Sequence, residues 1–198
     1  DGTVTYELAK SIKQSEDGKS IDVKLKKDIK WSDGEDFTAD DVVFTYTQKA
    51  KKENGKYESL WIGDQPVTVE KVGDYEVKFN LPTASAAAVN NLTNETYIIP
   101  EHVYKNTSDF SVNDLGAYPT VGTGPYVLKQ FTSGSSLTLT ANKYYYGGKV
   151  KTKKINVRII ENADTLKVAL QKGEVDLASV DSNAVSDLKS SGVSTKTY

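Results

Sequence analysis

The chain has no cysteine and no methionine, and a single histidine among its 198 residues. Without cysteine there is no disulfide, no thiol nucleophile and no Cys-ligated zinc, and the compartment is left open. A lone His102 leaves a histidine triad or a histidine metal cage short of partners. Arg158 is the only arginine among 25 basic residues, and the rest are lysines. Lysine is a point charge, poorer than the guanidinium fork at bidentate recognition of phosphate or carboxylate. The formal net charge of −2 gives no electrostatic case for nucleic acid or for an anionic membrane. No apolar run approaches the length of a membrane span, and no stretch has the pattern of a secretory leader. The first residues, DGTVTYELA, begin in mid-pattern without an initiator Met, so a mature or truncated chain is expected.

What is present suits a globular protein: 37% hydrophobic and 26% charged residues, enough for one or two domains with a core of useful size. The best-specified stretch runs from Ile21 to Tyr46. Ile21, Val23 and Leu25 alternate with polar neighbours, the period of a half-buried strand. Ser32-Asp33-Gly34 is a turn signal. Thr38 stands where its hydroxyl can cap a helix, and Asp40 and Asp41 suit the positive end of the helix dipole. Trp31 lies between strand and helix, where a large ring can pin one to the other.

The remaining pattern predicts further elements in order. Thr3 to Ser15 reads as a strand or arm, turning at Glu16-Asp17-Gly18-Lys19. The helix after Thr38 is expected to stop near Asn54-Gly55. Val67–Val72 and Tyr75–Leu81 alternate around Gly73-Asp74 as a hairpin, and Ala84–Leu92 reads as a short, closely packed helix. Strands are expected at Tyr126–Phe131, Ser136–Ala141, Lys154–Ile160, Val175–Val180 and from Val193 onward. Helices are expected at Asn162–Gln171 and after an Asp181/Ser182 cap through Leu188. Hairpins with one long helix, followed by alternating strands and helices, make an α/β chain of mixed α+β character, with a boundary near Pro100.

Groups that could carry chemistry are few. His102, after Pro100-Glu101, reads as a surface residue opening a turn. Asp33, Glu35, Asp36, Asp40 and Asp41 could pair as hydrolytic carboxylates, but turn and cap roles account for all five, and the spacing does not fit a calcium loop. Gly122-Thr123-Gly124 resembles a phosphate loop only superficially, because Pro125-Tyr126 leads into a strand rather than a helix. Its glycines are expected to adopt a backbone geometry closed to other residues. Three Asn-x-Ser/Thr triplets, at Asn91, Asn94 and Asn106, carry little weight alone. The surplus is aromatic: 12 Tyr, 5 Phe and 2 Trp. Tyr57 and Trp61 flank one loop and Tyr144-Tyr145-Tyr146 form another, suited to holding an organic ligand without reacting with it. Ordinary packing is the competing explanation for each of them.

Five segments, in order, resemble the family-5 extracytoplasmic solute-binding proteins, the oligopeptide, dipeptide and nickel receptors of ABC importers. They are KLKKDIKWSDGEDFTADDVVFTY, IPEHV at Ile99–Val103, PTVGTGPY at Pro119–Tyr126, NKYY at Asn142–Tyr145, and LQKGEVD at Leu170–Asp176. The resemblance implies part of a type II periplasmic-binding-protein-like fold. Residues 1–100 would form a small subdomain of the first lobe and residues 101–198 its central portion, with the second lobe absent. It implies a peptide or other small solute, caught between closing lobes and delivered to membrane permease subunits. It also implies an extracytoplasmic place, as a lipoprotein or in the periplasm, a monomer, and no enzymatic activity or cofactor. A family ligand contact on the loop after the long helix falls at Tyr57, with Trp61 beside it. Rival expectations are a carboxylate-based hydrolase centred on Asp33–Asp41 and an adhesion module on the same scaffold.

Overall fold

The computed structural model describes residues 5–54, 58–94, 96–107 and 121–196. Strands β1 (Ala9–Gln14) and β2 (Ser20–Leu25) form the first hairpin. Its turn is tied by Asp17, whose carboxylate accepts from the Ser15 hydroxyl at 2.6 Å and the Lys19 amide at 3.0 Å. Helix α1 (Ala39–Lys49) follows, then two short 3-10 turns at Lys52–Asn54 and Glu58–Leu60. A minimal ribbon, β3 (Trp61–Ile62) and β4 (Gln65–Pro66), leads to the hairpin β5 (Thr68–Gly73) and β6 (Glu76–Asn80). Helices α2 (Ala88–Asn94) and α3 (Glu101–Tyr104) come next. The second half holds β7 (Tyr126–Thr132), β8 (Ser136–Ala141), β9 (Lys154–Arg158), α4 (Ala163–Gln171) and α5 (Val185–Ser190).

Two antiparallel sheets dominate, one ordered β1-β2-β6-β5 and the other β7-β8-β9. In the first, Ile21 faces Phe79 and Val23 faces Val77 across the β2–β6 register. Strand alternation therefore places Ile21, Val23, Leu25, Val77, Phe79 and Leu81 together in the buried core. Helix α1 packs on β5 and β6, and the Tyr46 ring meets Phe79 edge-on at 4.7 Å. The expected Thr38 cap is present, and it forms part of a capping box: the Asp41 side chain also accepts from the Thr38 amide at 2.9 Å. Trp31 is 1% exposed and meets Phe37, 0% exposed, edge-on at 5.9 Å. The ring pins strand to helix as its position suggested.

Several expectations are corrected. Helix α1 ends at Lys49, not near Asn54-Gly55, because the chain tightens into a 3-10 turn at Lys52–Asn54. The second helix starts at Ala88, not Ala84. Ala84 and Ser85 instead pack on the Gly18 turn, where Gln14 Nε2 donates to the Ser85 carbonyl at 2.8 Å. Val175–Val180 forms no strand, and neither does Val193–Lys196, the described part of the last predicted one. Alternation makes no ladder without a partner, and neither segment pairs with a strand among the described residues; Leu177 is 88% exposed. Asp181 begins a 3-10 turn but makes no side-chain cap. Gly122 and Gly124 stay out of the left-handed region, and a Cβ at either would meet nothing. Conformational freedom therefore does not explain those two glycines.

Candidate functional site

Two places gather side chains from distant parts of the sequence. The first is the turn Trp31–Asp36, which joins the two halves of the chain. Its tight geometry is local: Gly34 (φ 108°) donates its N–H to the Trp31 carbonyl at 2.9 Å, and Trp31 N–H reaches the Glu35 carbonyl at 2.8 Å. Three later segments then dock on it. Ser32 N–H donates to the Gly122 carbonyl at 3.0 Å, and Gly122 N–H returns to Ser32 Oγ at 3.2 Å. His102 Nε2 lies 2.8 Å from Asp33 Oδ2, the carboxylate accepting from the ring N–H. Tyr144 packs against Gly34, so closely that a Cβ there would stand 3.0 Å from its hydroxyl. Buried Asn142 clamps two of these segments together: its Nδ2 donates to the Gly124 carbonyl and its Oδ1 accepts from the Tyr144 amide, each at 2.9 Å.

Asp41 works from inside the same joint. It is 4% exposed. Oδ2 accepts from Trp31 Nε1 at 3.2 Å and from the Thr38 amide, while Oδ1 accepts from the Glu101 amide at 2.9 Å. A buried carboxylate is tolerated because donors surround it. The other three aspartates of this stretch are also paired. Asp36 pairs with Lys30 at 2.5 Å and Asp40 with Lys71 at 2.8 Å. Asp33 also accepts from the Glu35 amide at 3.3 Å. Partial burial pushes the Asp33 carboxyl up, but the hydrogen bonds from His102 and Glu35 outweigh it and hold the carboxyl below its ordinary value. Turn, cap and ion-pair roles account for these four aspartates, and His102 gains a partner that its sequence position did not reveal.

The second place is the C-terminal end of α1. Trp61 is half-buried there, its Nε1 donating to the Ala50 carbonyl at 2.9 Å. The indole thus satisfies one of the carbonyls that a helix end leaves free. Lys52 Nζ lies 4.2 Å from the ring centroid, a cation–π contact. Tyr57 lies outside the described residues. Tyr46, from the last turns of α1, donates to the Leu92 carbonyl. Burial pushes its phenol up to about 12, so it stays neutral and serves as a packing group. Lys49 Nζ donates to Thr96 Oγ1 at 2.8 Å, which brings the segment before Pro100 to the same helix end. Tyr146, from the other aromatic loop, donates to Glu7 at 2.5 Å and lies under Lys26. Tyr144 and Tyr146 therefore tie the second half to the first. Among the described residues no group of three or more metal-ligating side chains occurs.

The family model for bacterial extracellular solute-binding proteins, family 5, middle part, matches residues 3–196. The chain belongs to this family. The oligopeptide-binding protein AppA of Bacillus subtilis is 34% identical over 180 residues, covering 89% of this chain and 33% of that protein. The solved structure of the substrate-binding protein CtaP of Listeria monocytogenes superposes with a TM-score of 0.87 at 32% identity, covering 93% of this chain and 38% of that one. AppA of B. subtilis, solved in complex with a nonapeptide, gives 0.83 at 31% identity, covering 96% of this chain and 37% of that one. The chain spans about a third of the length of the curated relatives it matches. The mixed helix-and-sheet fold is that of the periplasmic solute-binding proteins. The family consists of binding proteins rather than enzymes.

Proposed function

We propose that the chain is part of the substrate-binding component of an ABC importer, which takes up peptides or a similar small solute outside the membrane. The observation that carries this is the likeness to AppA, solved around a nonapeptide, over 96% of this chain. The protein would work as a monomer, as a cell-surface lipoprotein or in the periplasm, and would hand its ligand to permease subunits. Residues 1–100 form a small subdomain of the first lobe in this reading, and residues 101–198 form the lobe's central portion. Tyr57 and Trp61 are its ligand contacts here, with Trp61 offering ring surface beside α1 while its N–H holds the helix end.

Peptide recognition of this kind rests on backbone hydrogen bonds plus roomy side-chain pockets, which gives affinity with tolerance of sequence. Closure of a second lobe buries the ligand and selects the closed state. A partial lobe supplies only some of those contacts, so this chain alone is expected to bind weakly or not at all. Isothermal titration of the full-length protein against a mixed tri- to pentapeptide pool tests the function. Heat of binding that saturates supports it, and its absence overturns it. Submicromolar binding by the present chain alone would overturn the partial-lobe part.

A further inference from the structure

Tyr97 is 92% exposed, against 39% for Tyr6. The backbone that carries it is nevertheless held on both sides. Thr96 accepts from Lys49 Nζ at 2.8 Å. The Thr45 hydroxyl meets Ile99 twice, accepting from its N–H at 3.0 Å and lying 3.3 Å from its carbonyl oxygen. Glu101 N–H is held by buried Asp41 at 2.9 Å. Ile98 packs on the core, and Pro100 restricts Ile99 to non-helical backbone. Between these anchors the N–H and C=O groups of Tyr97 and Ile98 make no hydrogen bond among the described residues. The segment thus presents an unpaired backbone edge and an uncovered aromatic ring on a pre-set support.

The position adds a second argument. Thr96 is held by the Lys49 side chain and Trp61 by the Ala50 carbonyl, so the segments that carry Tyr97 and Trp61 are both tied to the C-terminal end of α1. A rigid tyrosine offers large amphipathic contact area at low entropic cost. An unpaired edge beside it offers the main-chain hydrogen bonds that recognise an extended chain without reading its sequence. We propose that Tyr97 is a ligand-contact residue, its ring and the Tyr97–Ile98 backbone meeting the bound peptide at the Trp61 end of α1. The inference rests on the peptide-binding function above and assigns that site a further residue.

Tyr97→Ala and Tyr97→Phe in the full-length protein, titrated with the same peptide pool, test it. Tyr97→Ala should weaken binding about tenfold with an unchanged thermal midpoint, and Tyr97→Phe should keep most of the affinity. Val72→Ala, another exposed position, should change neither. Nitration of Tyr97 in the wild-type protein, followed by mass spectrometry, should fall when the pool is added. A protein that binds peptide equally well with Tyr97→Ala overturns the proposal and leaves the general function standing. A lowered midpoint with unchanged affinity also overturns it, because the ring would then be covered by another part of the protein. A wild-type protein that binds nothing in the pool removes both.

Discussion

The two sheets are built from strands of similar length and similar alternation, yet they are buried very differently. All sixteen residues of the main core cluster lie between Ile21 and Leu92, around β2, β6 and α1. No hydrophobic residue of β7, β8 or β9 is fully buried, and Val157 on β9 is 39% exposed. The pairing itself is sound: Leu128 faces Leu139, and Leu139 faces Ile155 across the registers. A ladder of hydrogen bonds does not make a core, because the larger stabilisation comes from covering the apolar face. The first sheet has α1 laid across it. The second has no helix packed on it to a similar extent among the described residues. The first half can therefore serve as a rigid support, and the second takes much of its position from the joint at Trp31–Asp36.

The largest expected effect separates the two regions directly. Phe37→Ala empties a site with no solvent exposure and should cost about 3–5 kcal/mol in urea unfolding. Val157→Ala removes a partly solvated side chain and should cost under about 1 kcal/mol. Equal costs would break the comparison and mean that the second sheet is covered after all.

Asp41→Asn comes next. The amide keeps the side chain's shape but turns one acceptor oxygen into a donor facing other donors. Trp31 Nε1, the Thr38 amide and the Glu101 amide cannot all remain satisfied. The expected loss is about 2–3 kcal/mol. Loss of protection at the Glu101 amide in hydrogen exchange would place the damage at the joint rather than in the helix alone. An unchanged midpoint would mean that the carboxylate is not the hub its contacts describe.

A pair of glycine replacements sharpens the picture of the joint. Gly34 holds φ at 108°, a backbone that L residues rarely adopt, with the Tyr144 ring against it. Gly34→Ala should cost about 1–3 kcal/mol. Gly122 docks on the same turn through its backbone but has ordinary φ and open space at its Cβ position. Gly122→Ala should stay within about 0.5 kcal/mol of wild type. Reversed costs would show that contact through the Gly122 loop, not the shape of the turn, limits the joint.

Local signals explain what could be read in advance. The β1–β2 and β5–β6 hairpins, the Thr38 cap and the strands β7, β8 and β9 each carry their instructions within a few residues. The failures share a cause. Val175–Val180 has the alternation of a strand but no partner edge among the described residues. At the end of α1, the Ala50 carbonyl is capped by Trp61, eleven residues further on. Asp41 is legible as a cap, yet its bond to Glu101 spans 60 residues. Asn142 showed itself only as part of a family resemblance, and its clamp on Gly124 and Tyr144 is a tertiary fact. For the candidate site, Trp61 could be singled out as an aromatic near a loop. The exposure of Tyr97 could not, since the sequence Tyr97-Ile98-Ile99-Pro100 alone does not say which of its apolar side chains face outward.

The smallest effect concerns the contact between His102 and Asp33 across the joint. The Asp33 carboxyl is held below its ordinary value by His102 and the Glu35 amide, against the upward push of partial burial. A carboxyl depressed in the folded state contributes stability that is present above its unfolded value and is lost as pH falls through the folded one. His102→Ala removes the stronger of the two hydrogen bonds, so the Asp33 midpoint should move up toward the ordinary carboxylate range. Carbon-13 NMR titration of the Asp33 carboxyl reads this directly. Because the pair is partly exposed, its loss should shift the acid unfolding limit only slightly upward in pH. An Asp33 midpoint that stays where it was would mean that His102 does not hold this turn in solution. The joint would then rest on the Ser32–Gly122 pair, the Tyr144 ring and the bond of Asp41 to the Glu101 amide.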